Sequence, residues 1–180
     1  MKGYDNIYQR GSPRLQGYDY ANEGIYFITI ITKNRIQYFG KINEGKMIPS
    51  KDGIIIEKEW LNTPKIRKSL NITLDEYCLM PNHLHALLII EDPILPTKDS
   101  RIPSTNDPVN KFRAQSQNLS AIIRGFKGSC TKRIRDNGIV DFAWQSGFYD
   151  HIVRDLNSLE NIRNYIKDNP INWHVDDLKT

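Results

Sequence analysis

Met80-Pro81-Asn82-His83-Leu84-His85-Ala86-Leu87-Leu88-Ile89-Ile90 is the stretch on which the fold turns. An apolar run of this length, set off by a Pro-Asn break, reads as a buried strand from His83 to Ile90. Side chains two apart in a strand share a face, and neighbours point to opposite faces. Leu84 and Ala86 then face a core, and His83 and His85 stand side by side on the other face. Two imidazoles so placed have the geometry to share one metal ion, imidazole being the commonest protein metal ligand. The competing reading is two polar residues on a solvent face. A third histidine at position 87 would suggest a histidine-triad nucleotide hydrolase, but Leu87 is there.

The neighbouring segments fit one sheet. Gly24-Ile25-Tyr26-Phe27-Ile28-Thr29-Ile30-Ile31-Thr32 is β-branched and aromatic, a second buried strand. Asn71 to Met80 reads as a strand leading into the Pro-Asn break, and Phe148 to Val153 as a short one. Ile36 to Met47 reads as a ribbon broken at Gly40 and Gly45. Ser50 can cap a short helix over Gly53 to Leu61, stopped near Pro64. Leu119, Ile122, Ile123, Phe126, Cys130 and Ile134 recur at helical spacing. A last helix runs from about Ser158 to Asp168, capped by Asp155 or Asn157 and ended by Pro170. Strands and helices without regular βαβ alternation predict one α+β domain with a mostly antiparallel sheet. Residues 1–23 read as an irregular arm, 24–175 as the domain, and 92–117, with four prolines, as a long loop within it.

Composition narrows the functional classes. The 180 residues carry a net charge of +4, 26% charged residues and two cysteines far apart. That excludes a disulfide framework and a cysteine zinc site. Mean hydropathy is −0.55, and no apolar run reaches the ~18 residues of a membrane helix. The polar N-terminus has no signal-peptide core, so the expected location is cytoplasmic. Positive charge is concentrated in Lys111, Arg113, Arg124, Lys127, Lys132, Arg133 and Arg135, a segment without Asp or Glu. Arg124, Lys127 and Arg135 share one side of the helix there. Such a ridge suits a phosphate backbone, though a solvated charged face is the alternative.

Two further clusters carry chemistry. In Asn164-Tyr165-Ile166-Lys167-Asp168-Asn169-Pro170, Tyr165 and Asn169 lie one helical turn apart, at the margin of the stripe Leu159, Ile162 and Ile166. A hydroxyl there can reach a site on the adjoining sheet, and the amide can supply a neutral metal ligand; a packing tyrosine before a helix stop is the other reading. Trp144-Gln145-Ser146-Gly147-Phe148-Tyr149-Asp150-His151 could stack bases or anchor the last strand. His151 is a possible supporting residue of an active site, or a structural histidine.

Taken in order, Met80-Pro-Asn-His-Leu-His85, Trp144-Gln-Ser-Gly-Phe-Tyr-Asp-His-Ile-Val-Arg154 and Tyr165-Ile-Lys-Asp-Asn-Pro170 resemble the single-tyrosine transposases with a histidine-hydrophobe-histidine (HUH) motif. The likeness is to their REP-associated branch and spans roughly residues 14 to 172, with Arg14 and Gly24-Ile25-Tyr26-Phe27-Ile28-Thr29 also in pattern. The resemblance implies a ferredoxin-like antiparallel sheet with helices packed on one face. It implies Tyr165 as nucleophile, His83 and His85 as ligands of Mg²⁺ or Mn²⁺, and Asn169 as a third, amide, ligand. It further implies a nuclease and strand transferase acting on single-stranded or hairpin DNA through a 5′-phosphotyrosine, as a monomer or homodimer. Arg10 and Arg14 in the arm, with Arg124, Lys127 and Arg135, are the expected DNA contacts. The alternatives are a DNA-binding protein that no longer cuts, and a metal-dependent phosphohydrolase with no need of Tyr165.

Overall fold

The structure, a computed structural model, describes residues 24–68, 70–91 and 118–179. In chain order these form β1 (Gly24–Ile31), β2 (Gly40–Asn43), β3 (Lys46–Pro49), α1 (Lys51–Ile66), β4 (Asn71–Leu79), β5 (His83–Glu91), α2 (Leu119–Asp136), β6 (Tyr149–Val153) and α3 (Leu156–Asp168). Short 3-10 turns lie at Lys33–Arg35 and Trp173–Val175. The expected arm and the 92–117 loop, with Arg10 and Arg14, fall outside the described residues.

The main sheet has the order β4-β5-β1-β6, each neighbouring pair antiparallel. With the β2–β3 hairpin set aside, the chain runs strand–helix–strand–strand–helix–strand, its first and third strands at the centre. That is the expected ferredoxin-like arrangement. β1 and β5 are central because they are the most apolar strands and can be buried on both faces.

Alternation divides the side chains of those strands into two layers. Tyr26, Ile28 and Ile30 of β1 join Leu84, Ala86, Leu88 and Ile90 of β5 in a core shared with Ile56 and Trp60 of α1 and the stripe of α2. The opposite face carries Phe27, Leu87 and Val153, covered by Leu159, Ile162 and Ile166 of α3. Packing on one face therefore describes α1 and α2, while α3 crosses the other. The apolar residues of that second face are what require it, since exposing a large apolar side chain costs about 1.5–3 kcal/mol.

The local signals place most boundaries. Ser50 caps α1, its Oγ accepting from Gly53 N at 3.1 Å and donating to Tyr38 O at 2.7 Å. Asp155 caps α3 by accepting from Ser158 N at 2.8 Å. Pro64 does not stop α1, which runs on to Ile66. A proline in the last turn removes a single N–H, and the helix closes through Arg67 N donating to Thr63 O at 3.1 Å. The expected ribbon is shorter and later than Ile36 to Met47: β2 and β3 form a hairpin about Glu44 and Gly45, both at positive φ (49° and 71°). Two positive φ values match the right-handed twist of the strands they join. Packing also continues past residue 175, with Leu178 only 2% exposed.

Gly53, in the first turn of α1, lies against the chain entering β2; a Cβ there would stand 2.1 Å from Phe39 O. That carbonyl already accepts from Ser50 N at 2.8 Å, and the Phe39 ring is fully buried, so it cannot retreat. Alanine is the better helix former by about 1 kcal/mol. Gly53→Ala is nonetheless expected to destabilise the protein, by roughly 1–3 kcal/mol, as overpacking does. Urea unfolding measures it, and an unchanged or raised midpoint would show the contact to be soft.

Candidate metal and tyrosine site

His83 and His85 occupy the α3 face of β5, both fully buried, with ring centroids 4.5 Å apart. Each ring is oriented by a neighbour at Nδ1. For His83 the neighbour is Asn82 Oδ1 at 2.7 Å, and for His85 it is Thr29 Oγ1, across the β1–β5 pairing, at 2.8 Å. Asn82 Nδ2 donates to two carbonyls, Arg35 O at 3.0 Å and Leu178 O at 2.7 Å. The amide is thereby fixed with Oδ1 as acceptor, so His83 Nδ1 carries the proton and Nε2 is bare. Burial disfavours the charged form of both rings, pushing His85 down to about 3 and His83 well below its ordinary value, where the proximity of His85 and Arg35 adds to the effect. Neutral imidazole is the form that ligates metal.

α3 brings Tyr165 to the same place. Its ring packs edge-on to Phe27 (centroids 6.0 Å apart) and His85 (5.4 Å), and its hydroxyl is 3.5 Å from His85 Nε2. That distance is at the outer limit of a hydrogen bond, so His85 is a neighbour rather than an established base. Two ion pairs seat the helix on either side of Tyr165. Arg163 grips Asp75 through Nε (3.0 Å) and Nη2 (2.5 Å), and Lys167 Nζ reaches Glu76 at 3.1 Å. Asp75 and Glu76 lie where the β4–β5 register shifts between Leu74 and Tyr77. The Arg163 hydrogen bond holds the Asp75 carboxyl below its usual range. Asn169, one turn beyond Tyr165, is 5% exposed, and its Oδ1 has no hydrogen-bond partner among the described residues.

The sequence reading missed Asp176. It follows the last 3-10 turn, and its Oδ2 lies 3.6 Å from His83 Nε2. His83, His85 and Asp176 each offer a ligand atom, all within 4.8 Å of one another, and so could hold a metal ion. Proximity suggests an ion pair, but the neutral His83 has no proton at Nε2 to share. Nothing in the sequence near Asp176 marks it, because tertiary packing alone brings it to β5. Asn82 did carry a signal, being a side-chain acceptor next to the first histidine.

The basic helix is used differently from the expectation. α2 packs on the sheet face opposite His83, His85 and Tyr165. Lys127 Nζ donates to Gln145 O and Gly147 O, each at 2.7 Å, and Arg135 donates to Phe142 O through Nε (3.1 Å) and Nη2 (3.0 Å). Partial burial lowers Lys127 to about 8. Arg133 pairs with the buried Glu59 of α1 at 2.7 Å. Lys127 and Arg135 hold the 138–148 connection to the helix and Arg133 ties α2 to α1, leaving Arg124 exposed on α2. His151 is exposed on β6 in the row of Phe27, two residues along β1 from the His85–Thr29 row.

At the sheet end occupied by His83, a cavity of about 700 Å³ is lined by Lys33, Asn34, Arg35, Trp144, Gln145 and Ser146. Asn34 and Arg35 both have φ of 55°, a conformation that costs non-glycine residues energy and recurs at functional sites. Asn82 joins the cavity to the histidines, since it bonds both Arg35 O and His83.

The chain is 35% identical over 179 residues to an uncharacterised protein of Haemophilus influenzae, covering 96% of this chain and 94% of that protein. It belongs to the same family as that protein. No family model matches. Among solved structures it is similar to the REP-associated tyrosine transposase bound to a REP hairpin. The TM-score is 0.56 at 16% identity, over 88% of this chain and 73% of that one. The two share a fold, and the resemblance read from the motifs and the likeness in structure point to the same proteins. Among the described residues no helix is long and apolar enough to cross a membrane.

Lys127→Met separates an internal clamp from a surface phosphate contact. Losing an ammonium that serves two carbonyls is expected to cost about 1.5–3 kcal/mol. A surface substitution stays within about 0.5 kcal/mol. Urea midpoints at fixed ionic strength decide between them.

Proposed function

We propose that this chain is a metal-assisted, single-tyrosine DNA nuclease and strand transferase acting on single-stranded or hairpin DNA. One observation carries the reading: a tyrosine hydroxyl 3.5 Å from one of two buried, neutral imidazoles that share a strand face. A phosphodiester resists attack because it is anionic. Mg²⁺ or Mn²⁺ held by His83 and His85 would supply a positive charge to a non-bridging phosphate oxygen, nitrogen ligands favouring Mn²⁺. Tyr165 Oη attacks phosphorus in line, the bond from phosphorus to the 3′ oxygen breaks, and a 5′-phosphotyrosine and a free 3′-OH result. The new ester keeps the energy of the old one, so a 3′-OH can displace Tyr165 and rejoin a strand without ATP.

The site supports this better than the alternatives. A water-using phosphohydrolase needs the imidazoles but gives no reason for Tyr165 to be seated beside them by two ion pairs. A protein that only binds DNA gives no reason to bury two imidazoles side by side. The cavity beside Asn82 is the proposed cradle for the strand, with Lys33 and Arg35 for phosphate, Trp144 for stacking and Gln145 for a base edge. Its continuity with His83 through Asn82 favours it over the α2 ridge, which is on the far side of the sheet.

Tyr165→Phe removes only the hydroxyl. It is expected to abolish the covalent protein–DNA adduct formed with a hairpin oligonucleotide and Mn²⁺, with binding nearly unchanged. A Phe variant that still cuts would transfer the case to the hydrolase reading. Lys33→Ala is expected to flatten the salt dependence of single-strand binding by about 0.7 in log–log slope, the contribution of one phosphate. Arg124→Ala should leave that slope unaltered. The reverse pattern would return the DNA path to α2.

A further inference from the structure

We propose that Asp176, carried by the C-terminal segment, is the carboxylate ligand of the ion held by His83 and His85, so that ion loading and docking of the segment are one coupled event. The inference rests on the metal reading above and assigns its third protein ligand.

The argument begins at Asn82. Its amide is oriented by two carbonyls, so Oδ1 takes the His83 Nδ1 proton and Nε2 is the ring atom turned to the site. Asp176 Oδ2 faces that nitrogen at 3.6 Å, with side-chain exposures of 0% for His83 and 9% for Asp176. Neither atom has a hydrogen-bond partner among the described residues. Two buried ligand atoms thus face each other with no such partner for either, an arrangement that a divalent ion would satisfy. Two imidazoles and one carboxylate also leave coordination positions open for substrate oxygens.

The segment is fastened where this role requires. Asn82 Nδ2 donates to Leu178 O and Arg35 Nη1 to Asp177 O, both at 2.7 Å. Leu178 N donates to Asp176 Oδ1 at 2.7 Å, turning Oδ2 to the histidine. Trp173 and Leu178 are buried, and the Trp173 ring is 6.0 Å from that of His83. Asn82 therefore orients a ligand and latches the segment with the same amide.

The experiment uses the full chain and Mn²⁺ as the probe, its affinity read by electron paramagnetic resonance of the free ion. Asp176→Asn retains an oxygen for Leu178 N and should weaken Mn²⁺ binding at least tenfold, the lower end of what even outer-shell partners of a metal contribute. Asn169→Ala should weaken it less than Asp176→Asn does, since Asp176 and not Asn169 is the third ligand. In the unmodified chain, saturating Mn²⁺ should slow hydrogen exchange of the 173–179 amides, because an ion bound only with the segment docked stabilises docking. Exchange there that ignores Mn²⁺ overturns the proposal without any variant. Equal affinity in Asp176→Asn, with the loss falling on Asn169→Ala, overturns it while leaving the metal site standing. No Mn²⁺ binding by the unmodified chain overturns the proposal and the metal reading together.

Discussion

The two-residue alternation of β5 is the constraint on which the rest depends. Leu84, Ala86, Leu88 and Ile90 go to the core under α1 and α2, which obliges His83, His85 and Leu87 to face the other way. A one-residue slip would exchange these sets and put two imidazoles into the larger core. Register is fixed against β1 by pairs such as Thr29 with His85, and the threonine hydroxyl then falls on the ring nitrogen. The pairing that builds the sheet is therefore also what orients the His85 ring.

A second face so apolar needs a cover, and α3 provides it with Leu159, Ile162 and Ile166. The helix cannot hide Leu87 and Phe27 without bringing its margin, Tyr165, over His85. The bidentate Asp75–Arg163 contact then limits rotation of α3 about its own axis, since a planar guanidinium on a carboxylate tolerates little misalignment. The contacts that cover this face are also the ones that place Tyr165 beside His85.

The ferredoxin-like sheet order came with the motif resemblance, while the strands, the histidine face, the capping residues Ser50 and Asp155 and the edge position of Tyr165 were legible because each follows from a local period or a turn residue. Three features were not. The position of α3 opposite the other helices depends on which face the chain turns towards after Val153, and helical periodicity carries no such information. Arg124, Lys127 and Arg135 read as a basic ridge because the partners of Lys127 and Arg135, three backbone carbonyls, lie outside the helix. Composition reports charge but not what engages it. Asp176 has no spacing relation to the histidines and reaches them only through Leu178, Arg35 and Asn82.

Those three residues also account for the strained turn at the end of β1. Asn34 and Arg35, each at φ 55°, cost of order 1–3 kcal/mol apiece. Neither is glycine, so the surrounding contacts must hold them there. Lys33 N donates to Ala143 O at 2.9 Å, Thr32 Oγ1 to Ile36 O at 2.8 Å and Asn82 Nδ2 to Arg35 O at 3.0 Å. At about 1 kcal/mol each, such bonds offset the strain only when made together. The turn aims the Arg35 carbonyl at Asn82 and its guanidinium at Asp177, two anchors of the segment that ends beside His83. A relaxed turn could not keep both contacts, and losing either would loosen the orientation of His83 Nδ1. The strain thus belongs to the same hydrogen-bonded unit as the histidine, and a change at the cavity wall reaches the ring through a single intervening side chain.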